Sequence, residues 1–152
     1  MNWSIIYCSR KRGRFPAGEG KSGFRGERRV LINQGDIYWV SFDAPGGTEP
    51  GIAHPQVVIQ ENVLNRSRIK TLVVCGLTTN AKRAYLPGNV RLEVGEANLP
   101  RQSTVVVSQV STVDKEQLGE YIGSLTQKRI DQILAGMRFL QLLSGSHGKE
   151  EK

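Results

Sequence analysis

The sequence predicts a mainly β domain: a small, strongly curved antiparallel sheet or partly open barrel, with one helix appended at its C-terminal end. Three observations carry that prediction. Short runs rich in β-branched and aromatic residues recur at close spacing from Gly35 to Val113, most turns between them contain Gly, Pro or Asn, and a helical period appears only afterwards, from Thr126 onward. At 152 residues the chain has room for one such domain and a tail, since a domain takes about 150 residues.

The first strand begins at Gly35, where Ile37, Trp39, Val40 and Phe42 precede the turn cluster Ala44-Pro45-Gly46-Gly47. After a loop that runs to His54, Gln56 to Gln60 forms a second strand, and the apolar run from Thr71 to Leu77 a third, buried one. Val90 to Val94 alternates apolar and polar residues with period two, and Ser103 to Val113 makes a longer fifth strand beyond Pro100. The final element differs. Ile130, Ile133, Leu134 and Met137, extended by Leu140, recur at i, i+3, i+4, i+7, the apolar face of a helix packed on the sheet. Thr126 is placed to cap it and Gly145 to end it, while Ser124 with Gln127 offers a rival capping box.

Composition narrows the function classes. Hydrophobic residues at 38% give an adequate core, and the formal net charge of +7 suggests a polyanionic partner. Most of that charge is local, because residues 1–34 carry a net of +6 and residues 35–152 only +1. Residues 1–33 mix Gly with basic residues and show no periodicity, so they read as a disordered basic leader, with 34–143 as the folded domain and 144–152 as a flexible tail. For the leader a mistaken upstream start, a basic RNA-tethering arm and a transit-like address all stay open. Within the domain, Asn62 to Leu92 holds six basic residues and no acid. The two cysteines, Cys8 and Cys75, form neither a disulfide framework nor a recognisable metal site, and no run of about 18 apolar residues exists to span a membrane. The expectation is a soluble, cytoplasmic protein.

The string Gly35 to Asp43, then Gly47-Thr48-Glu49-Pro50-Gly51, Pro55 leading into Val57-Val58-Ile59-Gln60, Leu77-Thr78-Thr79, Ser103 to Val107, Gln109 and Thr112-Val113-Asp114-Lys115 together resemble the MazF/PemK toxins of bacterial toxin–antitoxin pairs. The resemblance covers roughly residues 34–141. It implies an SH3-like small barrel of the CcdB-like type, a homodimer, an inhibitory antitoxin protein as partner, and a sequence-selective endoribonuclease that cuts single-stranded messenger RNA without metal or other cofactor. A catalytically silent RNA-binding module, or a CcdB-like gyrase poison, is the alternative on the same fold.

Cleaving RNA without a metal takes a base for the ribose 2′-hydroxyl proton, an acid for the departing 5′-oxygen, and donors around the charged phosphorus centre. In the family the chemistry is attributed chiefly to an Arg before the Pro of the second strand and to a Thr or Ser ending the third. The resemblance places Thr78 at the second position, as a donor to a phosphate oxygen. The first is occupied by His54, a departure from the family, and an imidazole moves protons near neutral pH but lacks the permanent charge and forked donors of Arg. Arg83 is then a candidate for the electrostatic role. Thr48 and Glu49 are expected beside the phosphate path, and Asn65, Arg66, Arg68, Lys82 and Arg83 as the backbone-binding cluster. Asn80, Tyr85 and Gln109 are candidates for base readout. Where the family often has Asp before the residue matching Gln109, this chain has Ser108.

Overall fold

A computed structural model of the chain describes residues 31–42 and 51–145. Among the described residues six strands form one sheet: β1 (Asp36–Ser41), β2 (Ala53–Val58), β3 (Thr71–Thr78), β4 (Val90–Leu92), β5 (Ser103–Asp114) and β6 (Leu118–Ser124). A one-turn helix α1 (Asn62–Asn65) follows β2, and the long helix α2 (Gln127–Gly145) follows β6. The strands lie in the order β4-β5-β3-β2-β1-β6, with every paired neighbour antiparallel. This is the mainly β sheet with a C-terminal helix that the sequence predicts.

Period two sorts the strand residues between two cores. Ile37, Val57 and Cys75 join Leu92, Val105, Val107, Ile130 and Ile133 in one cluster under α2. Their chain neighbours Tyr38, Val58 and Val74 join Val40, Leu72 and Val113 in the other. Because both faces are covered, β2 and β3 read as continuous apolar runs. Each large aliphatic side chain buried this way contributes about 1.5–3 kcal/mol.

The helix packs as its spacing predicts, with Ile130 and Ile133 buried and Leu134, Met137 and Leu140 half-buried against the first core. Thr126 starts it: its Oγ1 accepts from Arg129 N–H at 3.4 Å and its carbonyl from Ile130 N–H at 3.1 Å. The rival register loses because Ser124 is engaged elsewhere. Its hydroxyl donates to buried Asp36 at 2.5 Å and lies 2.7 Å from the Tyr121 hydroxyl. Burial, with the Asp36 carboxylate beside it, pushes the Tyr38 phenol up to about 12.

Three strand expectations change. β2 starts at Ala53 rather than Gln56, because Ser41↔Ala53, Val40↔His54 and Trp39↔Pro55 pair with β1. The proline is tolerated there, since the β2–β3 pairs begin only at Gln56↔Gly76 and its missing N–H falls outside them. β4 stops at Leu92, where the Glu93 carbonyl accepts from Glu96 N–H and Gly95 turns the chain with φ +88°. β6 has no counterpart among the predicted strands. Its sequence, Leu-Gly-Glu-Tyr-Ile-Gly-Ser, lacks alternation, and it exists by pairing with β1.

β4 and β6 are the two edges, and the segment following β4 draws them together. Asn98 Nδ2 donates to the Ile122 carbonyl at 3.0 Å, and Gly123 lets the Ala97 carbonyl approach where any Cβ would collide. Arg129 of α2 pairs with Glu96 through both its Nε, at 2.9 Å, and a terminal nitrogen. This clasp closes the curl of the sheet. No helix among the described residues is long and apolar enough to cross a membrane.

Candidate functional site

The β2–β3 pairing determines what meets at the open end of the hairpin. The register runs Val58↔Val74, Val57↔Cys75, Gln56↔Gly76 and is paired no further, so His54 on β2 and Thr78 on β3 both lie past its last pair. Both side chains line a cleft of about 860 Å³, and a smaller cavity of about 460 Å³ adjoins it, sharing His54, Leu77 and Gln109. His54 thus projects from a strand, not from the loop that the sequence suggests. Thr78 ends β3 as expected, and its Oγ1 accepts from Asn80 N–H at 3.2 Å. That bond uses the oxygen and leaves the hydroxyl proton to donate.

Beyond Thr78 the chain makes a 3₁₀ turn, Ala81–Tyr85, capped by Asn80 Oδ1 on Lys82 N–H at 3.1 Å. The turn brings Asn80 and Arg83 to the cleft wall. Lys82 is exposed on the same turn without lining the cleft, and so is Tyr85 at its end.

The opposite wall comes from β5. Cys75↔Val110 and Leu77↔Val105 are both paired, so between these pairs one residue on β3, Gly76, faces four on β5, and the excess bulges out. The bulge presents Gln109 to both cavities. Gly76 makes the room: a Cβ there would lie 2.9 Å from Gln109 Oε1. Two of the polar groups freed by the bulge find side-chain partners. The Cys75 thiol donates to the Val106 carbonyl at 3.0 Å, and the Asn89 side chain accepts from Val107 N–H at 3.1 Å. Burial pushes that thiol up to about 12, so it stays protonated as a donor.

Arg101 and Gln102 also line the cleft, and sequence reasoning missed them. Their signal was non-local. Thr78 pairs with Thr104, so the residues just before β5 run alongside those just after β3. No described residue lining either cavity is acidic, whereas Arg83 and Arg101 both face the larger one.

The other predicted residues lie elsewhere. Asn65 is buried in α1, where its amide donates to the Gln60 carbonyl at 2.8 Å and accepts from Gln60 Nε2 at 3.1 Å, so it holds the turn together instead of offering itself to a ligand. Arg66 and Arg68 are exposed beyond α1, at the far end of the β2–β3 hairpin from His54 and Thr78. Thr48 and Glu49 fall outside the described residues.

Residues 33–140 match the family described as PemK-like, MazF-like toxins of type II toxin–antitoxin systems. Endoribonuclease MazF6 of Mycobacterium tuberculosis is 32% identical over 109 residues, covering 72% of this chain and 96% of that protein. Endoribonuclease EndoA of Bacillus subtilis is 28% identical over 104 residues, 68% of this chain and 89% of its own. Among solved structures, MazE–MazF of Deinococcus radiodurans superposes with a TM-score of 0.61 at 17% identity, over 74% of this chain and 97% of that one. A mycobacterial endoribonuclease in complex with its cognate antitoxin gives 0.58 at 23% identity, over 74% and 96%.

Proposed function

The chain belongs to the PemK-like, MazF-like toxin family of type II toxin–antitoxin systems, and from that membership we propose that it is an endoribonuclease toxin whose active site is the cleft bounded by His54, Thr78, Arg83 and Arg101. The observation that carries this reading is the cleft itself, which His54 and Thr78 line together with two arginines and with no acid along its described lining. A polyanion is the ligand such a lining attracts.

In this reading the His54 imidazole takes the proton of a ribose 2′-hydroxyl, and the freed oxygen attacks the adjacent phosphorus. Charge gathers on the non-bridging oxygens, where the Thr78 hydroxyl and the two guanidinium groups stabilise it. The bond from phosphorus to the 5′-oxygen breaks, and that oxygen takes up a proton from the imidazolium or from water. The products are a 2′,3′-cyclic phosphate and a 5′-hydroxyl. Gln109 and Asn80 flank the bases, whose exposed edges are what a protein reads in single-stranded RNA. The chain acts in the cytoplasm as a homodimer held in check by an antitoxin, the partner present in the mycobacterial complex.

Incubating the protein with single-stranded RNA in excess EDTA, then analysing the ends, tests this. Cyclic phosphate and 5′-hydroxyl ends are expected. Intact RNA with binding retained would instead make the chain a silent binding module, and inhibition of gyrase supercoiling would make it a gyrase poison.

A further inference from the structure

The two walls of the cleft are joined by one side chain to which the reaction gives no part. Asn89 sits just before β4. Its Nδ2 donates to the Arg83 carbonyl at 2.9 Å, on the 3₁₀ turn of one wall. Its Oδ1 accepts from Val107 N–H at 3.1 Å, in the β5 bulge that presents Gln109 on the other. The Arg83 carbonyl also accepts from Leu86 N–H at 3.2 Å, so Asn89 closes the turn from outside. The preceding residue is anchored as well. Gly88, with φ +84°, lies so near α2 that Gly136 has no space for a Cβ, which would collide with the Gly88 carbonyl oxygen. The segment therefore has a fixed foot on the helix and, through Asn89, one hand on each wall.

We propose that Asn89 is a positioning residue that holds Arg83 at its place in the cleft relative to the β5 bulge, so that this arginine meets an RNA phosphate. The proposal rests on the reading of the cleft as the RNA site. Asparagine suits the task because one amide offers a donor and an acceptor on separate atoms. Aspartate keeps the acceptor for Val107 N–H and replaces the donor to Arg83 with a repelling oxygen. Alanine removes both without adding charge.

The test combines Asn89→Asp and Asn89→Ala with Arg83→Ala, measuring thermal transitions, cleavage of a long single-stranded RNA of mixed sequence, and the salt dependence of its binding. Arg83→Ala should flatten the log–log salt slope by about 0.7, the value of one phosphate contact on a single strand. Both Asn89 variants should show the same flattening and a raised KM, with N89D keeping a transition close to the wild type. Misplacing a group by an ångström costs up to about 10²-fold in rate, and adding Arg83→Ala to either variant should cost little more. Wild-type slope and KM in N89D and N89A beside an impaired R83A would overturn the positioning role, as would losses that multiply in the double variants. If neither Asn89 variant keeps a folding transition, Asn89 is a folding residue and the proposal fails. An R83A protein with wild-type binding and cleavage would sink the reading of Arg83 itself.

Discussion

At the residue scale the decisive position is His54, which lines the cleft in place of the arginine that the family resemblance leads one to expect. If His54 transfers the proton, His54→Ala lowers cleavage by about 10²- to 10⁴-fold. His54→Arg separates proton transfer from charge, because a guanidinium stays protonated throughout. If proton transfer is what His54 supplies, His54→Arg loses cleavage as His54→Ala does, and retained cleavage would assign the position to charge; Thr78→Ala is damaging in either background, since its hydroxyl serves the phosphate. Wild-type turnover by H54A at every pH from about 5 to 8 would remove His54 from the chemistry. Of these two residues, Thr78 was legible from family pattern and strand end alike. That His54 lies on a strand beside the same cleft was not, because that depends on β2 extending through a proline by pairing with β1.

At the element scale, what local pattern dictates was legible and what pairing dictates was not. β1, β3, β5 and α2 announce themselves by apolar period, whereas β6 contains Gly119 and Gly123 for close backbone approaches to Trp39 and Ala97. Those glycines erase the strand signal that the approaches require. Arg101 escaped notice for the same reason, since only the β3–β5 register brings it to the cleft. The clasp of Glu96 on Arg129 gives this scale its own test. The Arg129 hydrogen bonds hold the Glu96 carboxyl below its ordinary range, so the pair stabilises the fold above the unfolded glutamate value of about 4.3 and loses that contribution as pH falls through the lower folded value. Glu96→Gln should therefore destabilise the protein by about 1 kcal/mol at neutral pH, the scale of a partly exposed pair. The gap to wild type should close in more acidic denaturation series. A gap that stays constant with pH would mean that shape, not charge, holds the clasp. The far end of the β2–β3 hairpin is tested separately. Arg66 and Arg68 lie beyond α1, past the end of β2, which itself runs on from His54 to Val58, so Arg66→Ala with Arg68→Ala should weaken low-salt binding of long RNA and flatten its salt slope while sparing cleavage of an RNA too short to reach them. Equal loss on both substrates would place them at the cut site.

At the scale of the whole molecule, charge and fold are unevenly distributed along the chain, and the mismatch separates attraction from chemistry. Residues 1–34 hold a net of +6 and the remainder +1, yet every residue of the two described cores lies at or beyond Ile32. Among the described residues, the N-terminal side of β1 is tied in from there. Asn33 N–H donates to Asp36 at 2.9 Å, the Gln34 amide to the Ile59 carbonyl at 2.8 Å, and Gly35 N–H to the Val58 carbonyl at 2.8 Å. A chain beginning at Val30 retains all of these groups and sheds eight basic residues against two acidic ones. It should keep the thermal transition and the oligomeric state of the full chain, and should cut a short RNA at an unchanged rate, because the cleft from His54 to Gln109 is untouched. Its affinity for long RNA should fall at low salt and converge with that of the full chain as salt rises, since counterion release scales with the phosphates neutralised. Calorimetry, size-exclusion chromatography and a salt series read these three outcomes independently. A lost transition or a monomer would draw the N-terminal segment into the folded body, and identical salt curves for the two chains would show that its charge never engages RNA.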